Sequence, residues 1–231
     1  GALARRFDPD EQAAPKRRRR PRKRRSAAER AEHAGAVASA AVFEPILFPI
    51  PDGPGKFSEL VEIERAVAEA GWREPTPIQE QAMPVLRAGI DLVGQAQTGS
   101  GKTGAFGIPL LEKLDPAFKS VQALVVVPTR ELAEQVTVEL ARLGKHAGLR
   151  PVSVYGGVGY EKQMQGIKRG DQIVVGTPGR IIDHLERGTV SFEDVRFVIL
   201  DEADRMLDMG FQPDIERILR YTPRDRQTAL F

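Results

Sequence analysis

The strongest chemical signal in the sequence is an eight-residue run of small and polar residues, Ala96-Gln97-Thr98-Gly99-Ser100-Gly101-Lys102-Thr103. Phosphate groups are bound by backbone N–H groups that turn inward, which requires small residues, and by the positive end of a helix. Gly99 and Gly101 satisfy the steric requirement of such a turn. Lys102 can reach the β- and γ-phosphates of a nucleoside triphosphate, and the Thr103 hydroxyl can bind Mg²⁺. The usual pattern opens with Gly where this sequence has Ala96, and a glycine-rich turn that binds nothing is the alternative.

A second chemical signal is the acidic run Asp201-Glu202-Ala203-Asp204, which directly follows the apolar residues Val198–Leu200. A nucleoside triphosphatase needs a carboxylate at a strand end to hold Mg²⁺ and a polar side chain to orient the attacking water. Asp201 suits the first role and Glu202 the second. An acidic cluster alone is more often the partner of a helix N-terminus. Asp201 lies 98 residues after Thr103, which leaves room for several βα units and favours a joint site.

The elements that must position these residues follow from the alternation of apolar runs and helical patterns. Continuous apolar runs are typical of strands buried on both faces, and their alternation with helices predicts a parallel sheet covered by helices on both sides, an α/β fold. The predicted strands are Leu92-Val93, Leu124–Val127, Val152–Tyr155, Ile173–Val175, Phe197–Leu200 and Thr228–Phe231. The predicted helices are Glu59–Ala70, Ile78–Arg87, Thr103–Leu114, Arg130–His146, Tyr160–Lys168, Arg180–Glu186 and Pro213–Arg220.

Polar segments begin directly where four of the predicted strands end. The carboxyl ends of parallel strands share one edge of the sheet, and ligands bind in the crevice there. We therefore expect these segments to lie on one rim: Gly94–Thr103, Pro128–Ala133, Gly176–Arg180 and Asp201–Asp204.

The order of the motifs resembles that of a known family. The sequence contains, in order, Gly71–Gln79, the run at 96–103, Pro128–Ala133, Gly156-Gly157, Thr177–Arg180 and Asp201–Asp204, followed by Arg205–Phe211. From about Phe57 to Phe231 this set resembles the first RecA-like domain of a DEAD-box ATP-dependent RNA helicase. The resemblance implies a RecA-like P-loop domain with ATP and Mg²⁺ as cofactors and RNA as partner.

The resemblance also assigns roles at the nucleotide. It implies catalytic roles for Lys102, Asp201 and Glu202, with Thr103 and Asp201 holding Mg²⁺. It places Trp72, Thr76, Gln79 and the whole run at 96–103 at the adenine nucleotide. The amide of Gln79 can both donate and accept toward the adenine edge. Trp72 would stack on or near the adenine face, and a half-buried core aromatic is the alternative.

The resemblance further implies RNA contacts on three segments. Hydroxyls, exposed glycine amides and guanidinium groups bind phosphate and sugar without reading bases, and contacts to the ribose 2′-OH favour RNA. A Thr-Pro-Gly sequence alone is more often a turn that opens a helix. The implied RNA-binding residues are Pro128, Thr129, Arg130, Gly156, Gly157, Thr177, Pro178, Gly179 and Arg180.

Charge is distributed unevenly along the 231 residues, whose 34 Lys+Arg and 32 Asp+Glu give a net charge of +2. Residues 1–50 carry a net charge of +6 and the remainder −4. The basic run Lys16–Arg25 repels itself and cannot bury apolar area, so we predict a disordered tail and linker at 1–54 and a folded domain at 55–231. The absence of Cys excludes a disulfide framework and a thiolate metal site.

The tail suits phosphate backbones, nuclear import or an anionic surface, and a solubilising tail is the alternative. No window has the 18 or so uncharged apolar residues of a spanning helix, so no membrane partner is expected. We expect a cytoplasmic protein, with the nucleus or nucleoid open because of the tail. Besides an RNA helicase, a DNA-directed translocase and an RNA-binding module that acts mainly through the tail remain open.

The end of the chain, Gln227–Phe231, resembles the strand before the family's Ser-Ala-Thr motif. We therefore expect the second RecA-like domain to be missing and this chain alone to be nearly inactive. Other residues have plain interpretations. Pro84 should kink or split its helix. The histidines His33, His146 and His184 are interpreted as surface or helix-end residues, and Met206, Leu207, Met209 and Phe211 as core.

Overall fold

A computed structural model describes residues 57–97 and 99–231 of the chain, with side chains from Glu62 onward. The predicted tail and linker at 1–54, His33, the Phe57 side chain and Thr98 of the phosphate loop lie outside what is described. None of the helices in the described ranges has the length and apolarity that crossing a membrane requires.

Strands and helices alternate along the domain, as the sequence predicts. The strands are β1 Leu92–Val93, β2 Ala123–Val126, β3 Pro151–Val154, β4 Ile173–Gly176, β5 Phe197–Leu200 and β6 Gln227–Leu230. The helices are α1 Phe57–Glu69, α2 Pro77–Arg87, α3 Lys102–Leu111, α4 Arg130–Gly144, α5 Tyr160–Arg169, α6 Pro178–Glu186, α7 Ala203–Asp208 and α8 Gln212–Leu219.

The strands form one sheet in the order β1-β6-β5-β2-β4-β3, and each neighbouring pair is parallel. In the central strand β2, alternate residues face opposite sides of the sheet. Ala123 and Val125 belong to the apolar core covered mainly by α1–α4, and Leu124 and Val126 to a second core covered mainly by α6–α8. The predicted α/β fold with helices on both faces is therefore confirmed.

Local differences from the sequence prediction have physical reasons. Helix α2 continues through Pro84, which lies on the exposed side of the helix, where a carbonyl that loses its helical partner meets water. Helix α7 was not predicted, because six residues are too few to display a helical period. Of the apolar residues around it, Met206 is buried, whereas Leu207 and Met209 are about half exposed at 54% and 49%. The core interpretation of Leu207 and Met209 is therefore wrong: Leu207 is turned about 100° around the helix from Met206, and Met209 lies beyond the last residue of α7.

Candidate nucleotide and nucleic-acid site

The phosphate loop connects β1 to α3, and its glycines adopt conformations that other residues avoid. Gly99 and Gly101 have φ angles of +79° and +93°, in the left-handed region that glycine enters without steric cost. Gly101 is also the N-cap of α3, so Lys102 and Thr103 lie in the first turn of that helix. A Cβ atom at Gly101 would lie 2.7 Å from Gln79 Nε2 and 2.8 Å from Thr76 Oγ1. The glycine is needed for both the turn and the close approach of the preceding helix.

Helix α2 is joined to this loop through Gln79, which is only 5% exposed. Its Oε1 accepts the N–H of Thr76 at 3.0 Å, and its Nε2 donates to the carbonyl of Gly101 at 3.1 Å. Trp72 packs on the other side of the same contact: a Cβ on Gly104 would lie 2.6 Å from Trp72 Cζ3. Trp72 is half-buried and packs against the core, which is the alternative the sequence left open for it. The predicted adenine side and the phosphate loop are thus one packed unit.

Two hydroxyl groups in this unit have no hydrogen-bond partner. Thr76 Oγ1 and Ser100 Oγ are buried, and they are two of five such side-chain atoms in the described part of the chain. Buried polar atoms are nearly always paired, so unpaired ones point to a missing partner. Their position beside a glycine-rich turn and a helix N-terminus fits a bound phosphate compound. The residues present therefore fit an adenine nucleotide.

The acidic run after β5 faces the same loop. Asp201 is 2% exposed, and its Oδ1 lies 3.9 Å from Nζ of Lys102. Its Oδ1 also accepts the N–H of Glu202 at 3.0 Å. Burial raises the pKa of Asp201, while the Lys102 charge and the Glu202 N–H act in the opposite direction. A nearly buried carboxylate has lost most of its hydration and is stabilised by nearby positive charge. Such a group is suited to binding a cation.

Glu202 has a strained backbone. Its φ of +52° makes it the only non-glycine residue with a positive φ among those described. Such a conformation costs about 1–3 kcal/mol and tends to occur at functional sites. The Glu202 side chain is 16% exposed, and its Oε2 accepts a hydrogen bond from Arg205 Nη1 at 2.9 Å. The carboxylate is therefore held by Arg205 in this structure.

The three segments predicted to contact RNA follow β2, β3 and β4, which are neighbours in the sheet. Gly156 and Gly157 are exposed, and a Cβ on Gly157 would lie 3.9 Å from Nη1 of Arg130, also exposed. Thr129 Oγ1 caps α4 by accepting the N–H of Leu132 at 3.3 Å, and Thr177 is the N-cap of α6. The structure thus brings two helix N-termini and an exposed glycine pair together.

The residues predicted to contact RNA differ in their exposure to solvent. Pro128 and Pro178 are buried, which suits a role in shaping the turns, whereas Gly179 is exposed. The Arg180 side chain is only 12% exposed. Its guanidinium lies 4.1 Å from the ring centre of Tyr160 and donates to the Val158 carbonyl at 3.2 Å. In this structure the Arg180 guanidinium is therefore engaged by groups of the protein itself, the Tyr160 ring and the Val158 carbonyl.

Sequence reasoning missed a buried polar group beneath these segments. His184 is fully buried in the last turn of α6, so its interpretation as a surface residue is wrong, although its place at a helix end is right. Its ring nitrogens lie 2.7 Å from Thr189 Oγ1 and 3.1 Å from Gln163 Oε1. Gln163 sits 21 residues earlier on α5, and no local pattern reveals that partnership. By contrast, His146 is partly exposed and contacts Glu69 at 3.0 Å.

Comparison with known proteins gives consistent relatives. The protein-family model described as DEAD/DEAH box helicase matches residues 76–231. The chain is 50% identical over 179 residues to an ATP-dependent RNA helicase CshA of Limosilactobacillus reuteri, covering 76% of the chain and 36% of the relative. It is 54% identical over 168 residues to an ATP-dependent RNA helicase DeaD of Mycobacterium tuberculosis, covering 72% and 30%. The chain thus spans about a third of the length of these relatives.

Solved structures give the same picture. A DEAD box protein from Methanococcus jannaschii matches with a TM-score of 0.70 and 42% identity, covering 74% of this chain and 47% of that one. A hypothetical ATP-dependent RNA helicase from Sulfolobus tokodaii matches with a TM-score of 0.67 and 40% identity, covering 74% and 50%. Both sequence identities, 42% and 40%, are well above the level at which two proteins share only a fold.

Proposed function

Because this chain belongs to the DEAD/DEAH box helicase family, we propose that it is the ATP-binding RecA-like part of an ATP-dependent RNA helicase. The single observation that carries the proposal is the meeting of Lys102 and Asp201, 3.9 Å apart at the end of a glycine-rich loop. In the intact protein, ATP binding and hydrolysis would drive RNA binding and local separation of a duplex. A second RecA-like domain of the same protein would complete both sites, in keeping with the share of the relatives that this chain spans.

At the nucleotide, we propose a separate role for each of these side chains. Lys102 binds the β- and γ-phosphates, while the loop amides and the N-terminus of α3 bind the remaining phosphate oxygens. The Thr103 hydroxyl and the Asp201 carboxylate would hold Mg²⁺, which when bound neutralises charge on the triphosphate. The Thr76 and Ser100 hydroxyls gain partners from the nucleotide, since neither has one among the described residues.

Glu202 orients the attacking water in this proposal. Arg205 Nη1 donates to Oε2 of this carboxylate at 2.9 Å, and the carboxylate has further lone pairs that can accept from a water. The strained backbone of Glu202 keeps the residue at the turn between β5 and α7. Arginine residues from the second domain would add to hydrolysis a contribution worth about 10³–10⁵ in rate in this chemistry. The chain alone is therefore proposed to be a poor ATPase that does not unwind RNA.

On the RNA side, exposed glycine amides and helix N-termini suit contacts to phosphate and sugar, independent of sequence. The basic tail at 1–54 would add attraction of the kind that depends strongly on salt. We propose the cytoplasm as the location, because RNA is the partner, and the tail keeps the nucleus or nucleoid open. Single-stranded DNA would bind less well if the segments contact ribose hydroxyls.

Replacing Lys102 by Ala tests the proposal directly. Lys119, an exposed lysine at the other edge of the sheet, supplies the matched control Lys119→Ala. The 231-residue chain should bind a fluorescent ATP analogue in the presence of Mg²⁺. The loss of charge-assisted hydrogen bonds worth about 1.5–3 kcal/mol should weaken that binding by about 10- to 150-fold in Lys102→Ala. Equal affinity of Lys102→Ala and Lys119→Ala would overturn the nucleotide site, and robust RNA-stimulated ATPase of the chain would overturn the requirement for a second domain.

A further inference from the structure

We propose that Gln163 is a positioning residue that fixes the Gly156-Gly157 segment relative to the Thr177–Arg180 segment. This inference rests on the proposed binding of RNA by those two segments. Gln163 lies on α5 and is only 3% exposed, so it does not itself contact RNA. It acts through two hydrogen bonds, one to each side.

The first hydrogen bond reaches the start of the glycine segment. Gln163 Nε2 donates to the backbone carbonyl of Tyr155 at 3.0 Å, and Tyr155 directly precedes Gly156. The Tyr155 hydroxyl also donates to Glu134 on α4. Tyr155 is therefore held at both its backbone and its side chain. The exposed glycines that follow it in sequence thus begin from a residue whose position is fixed.

The second hydrogen bond reaches α6, the helix that begins at Thr177-Pro178-Gly179-Arg180. Because the Gln163 nitrogen donates to a carbonyl, its Oε1 faces His184 Nε2, 3.1 Å away, and accepts from it. His184 is a rigid part of α6, seven residues after Thr177. A displacement of Gln163 thus moves either the glycine segment or the first turn of α6.

A second contact ties the same two segments together. The ring centre of Tyr160 lies 4.1 Å from the guanidinium carbon of Arg180 and 4.7 Å from that of Arg187. The His184 ring packs against Tyr160 as well, with centres 5.1 Å apart. Arg180 and Arg187 therefore approach Tyr160 from α6, while Arg180 also holds the Val158 carbonyl. The hydrogen bonds of Gln163 to the Tyr155 carbonyl and to His184 join the same two sides.

A matched control exists at the opposite edge of the sheet. Gln172 is fully buried, donates to the Pro116 carbonyl at 3.1 Å and accepts from the Arg150 N–H at 3.2 Å. It precedes β4, so it lies at the amino ends of the strands, away from the candidate RNA segments. Replacing Gln163 or Gln172 by Leu removes the same chemical group from a similarly buried place. The two substitutions differ in what the lost side-chain amide contacts: Gln163 reaches the candidate RNA segments, whereas Gln172 reaches the amino ends of the strands.

The test uses the 231-residue chain and a single-stranded oligo(U) RNA. Amide resonances of Gly156, Gly157 and Gly179 are followed by NMR during titration, at about 200 mM salt to reduce the contribution of the tail. From these resonances Gln163→Leu should bind about tenfold more weakly than the unchanged protein, the size of one or two net hydrogen bonds. Gln172→Leu should stay within about twofold, because its hydrogen bonds do not reach the rim.

Two further variants separate positioning from mere stability. In His184→Gln the amide nitrogen can replace the ring Nε2 as donor to Gln163, whereas His184→Leu cannot donate. We expect His184→Gln to bind oligo(U) within about twofold of the unchanged protein and His184→Leu to lose about as much affinity as Gln163→Leu. If Gln163→Leu does not fold, this pair of variants decides the question.

The outcomes are distinct. If Gly156, Gly157 and Gly179 respond to RNA in the unchanged protein but Gln163→Leu and His184→Leu bind equally well, Gln163 has no positioning role and the proposed RNA site stands. If Gln172→Leu loses as much affinity as Gln163→Leu, the effect is general destabilisation, and the inference is wrong. If none of the three glycine amides responds to RNA, binding resides in the tail, and the proposed RNA site fails together with the inference.

Discussion

Gly104 offers a direct way to perturb the adenine side of the nucleotide site. It lies in the first half of α3, and a Cβ there would meet Gln79 Nε2 at 2.6 Å and Trp72 Cζ3 and Cη2 at 2.6 and 2.9 Å. Real Cβ atoms do not approach other atoms so closely, so Gly104→Ala forces one or both side chains to move. The hydrogen bond from Gln79 to the Gly101 carbonyl is the contact most directly at risk.

The expected effect on stability is small because two effects oppose each other. Replacing Gly by Ala within a helix stabilises it by about 1 kcal/mol. Overpacking a well-packed site costs about 1–3 kcal/mol. The free energy of unfolding should therefore fall by between about 0 and 2 kcal/mol, and the protein stays folded.

The expected effect on ATP binding is larger than the effect on stability. A displaced Gln79 loses two net hydrogen bonds to the adenine edge, worth about 1 kcal/mol each, and about 2 kcal/mol corresponds to roughly a 30-fold weaker affinity. The proposed phosphate contacts of Lys102 do not depend on the adenine-facing groups of Gln79, although the loop loses the hydrogen bond from Gln79 Nε2 to the Gly101 carbonyl. Affinity for GTP should therefore change little, and the preference for ATP over GTP should fall by about the same 30-fold.

Gly107→Ala is the matched control, since Gly107 lies one turn further along α3. A Cβ there would approach Leu140 Cδ2, a methyl group of α4, at 2.8 Å and nothing at the nucleotide site. Competition of ATP and GTP against a fluorescent nucleotide, with urea unfolding of both variants, measures the two effects. An unchanged ATP preference in Gly104→Ala, or an equal loss in Gly107→Ala, would refute the reasoning that Gln79 and Trp72 select the base.

Two further predictions concern catalysis and pH. In a full-length protein that contains this domain, Glu202→Gln should keep ATP affinity within about twofold and lower RNA-stimulated turnover by about 10²-fold or more; unchanged turnover would remove Glu202 from its role. Burial, together with the Arg180 and Arg187 charges, lowers the pKa of His184, while Asp183 acts in the opposite direction. The unfolded chain therefore binds a proton here more readily, so the free energy of unfolding falls as the pH drops below about 6.5. Urea unfolding between pH 7.5 and 5 should show this, and a profile unaltered by His184→Gln would contradict it.

The sequence predicts the fold well because the elements of a parallel α/β domain have a strong one-dimensional pattern. Buried strands such as Phe197–Leu200 are continuous apolar runs, and the polar segments after them mark the ends that meet at one rim. That placement accounts for the approach of Lys102 to Asp201, although Asp201 lies 99 positions further along the chain (201 − 102). The pattern predicts this approach because the topology of a parallel sheet alone, without side-chain detail, brings the carboxyl ends of the strands together.

The details that the sequence could not supply depend on partners from distant elements. The burial of His184 requires Gln163 from another helix, and the position of Gln79 requires the Gly101 carbonyl 22 residues away. The exposure of Met209 depends on a six-residue helix too short to show a period. For His184 and Gln79 the deciding contact lies between elements, and the local pattern of apolar and polar residues does not reveal it.

The position of β6 in the sheet has a consequence for how the protein is made. Among the described strands, β1 pairs only with β6, and the partners Leu92 and Ala229 are 137 residues apart in sequence. Strands β2, β3 and β4 can pair as soon as Gly176 has been synthesised. The strand that carries the phosphate loop has no place in the sheet until Leu230 has left the ribosome. Within this domain, the nucleotide site is therefore completed only after β6 has emerged, and ATP cannot assist folding of the domain before that point.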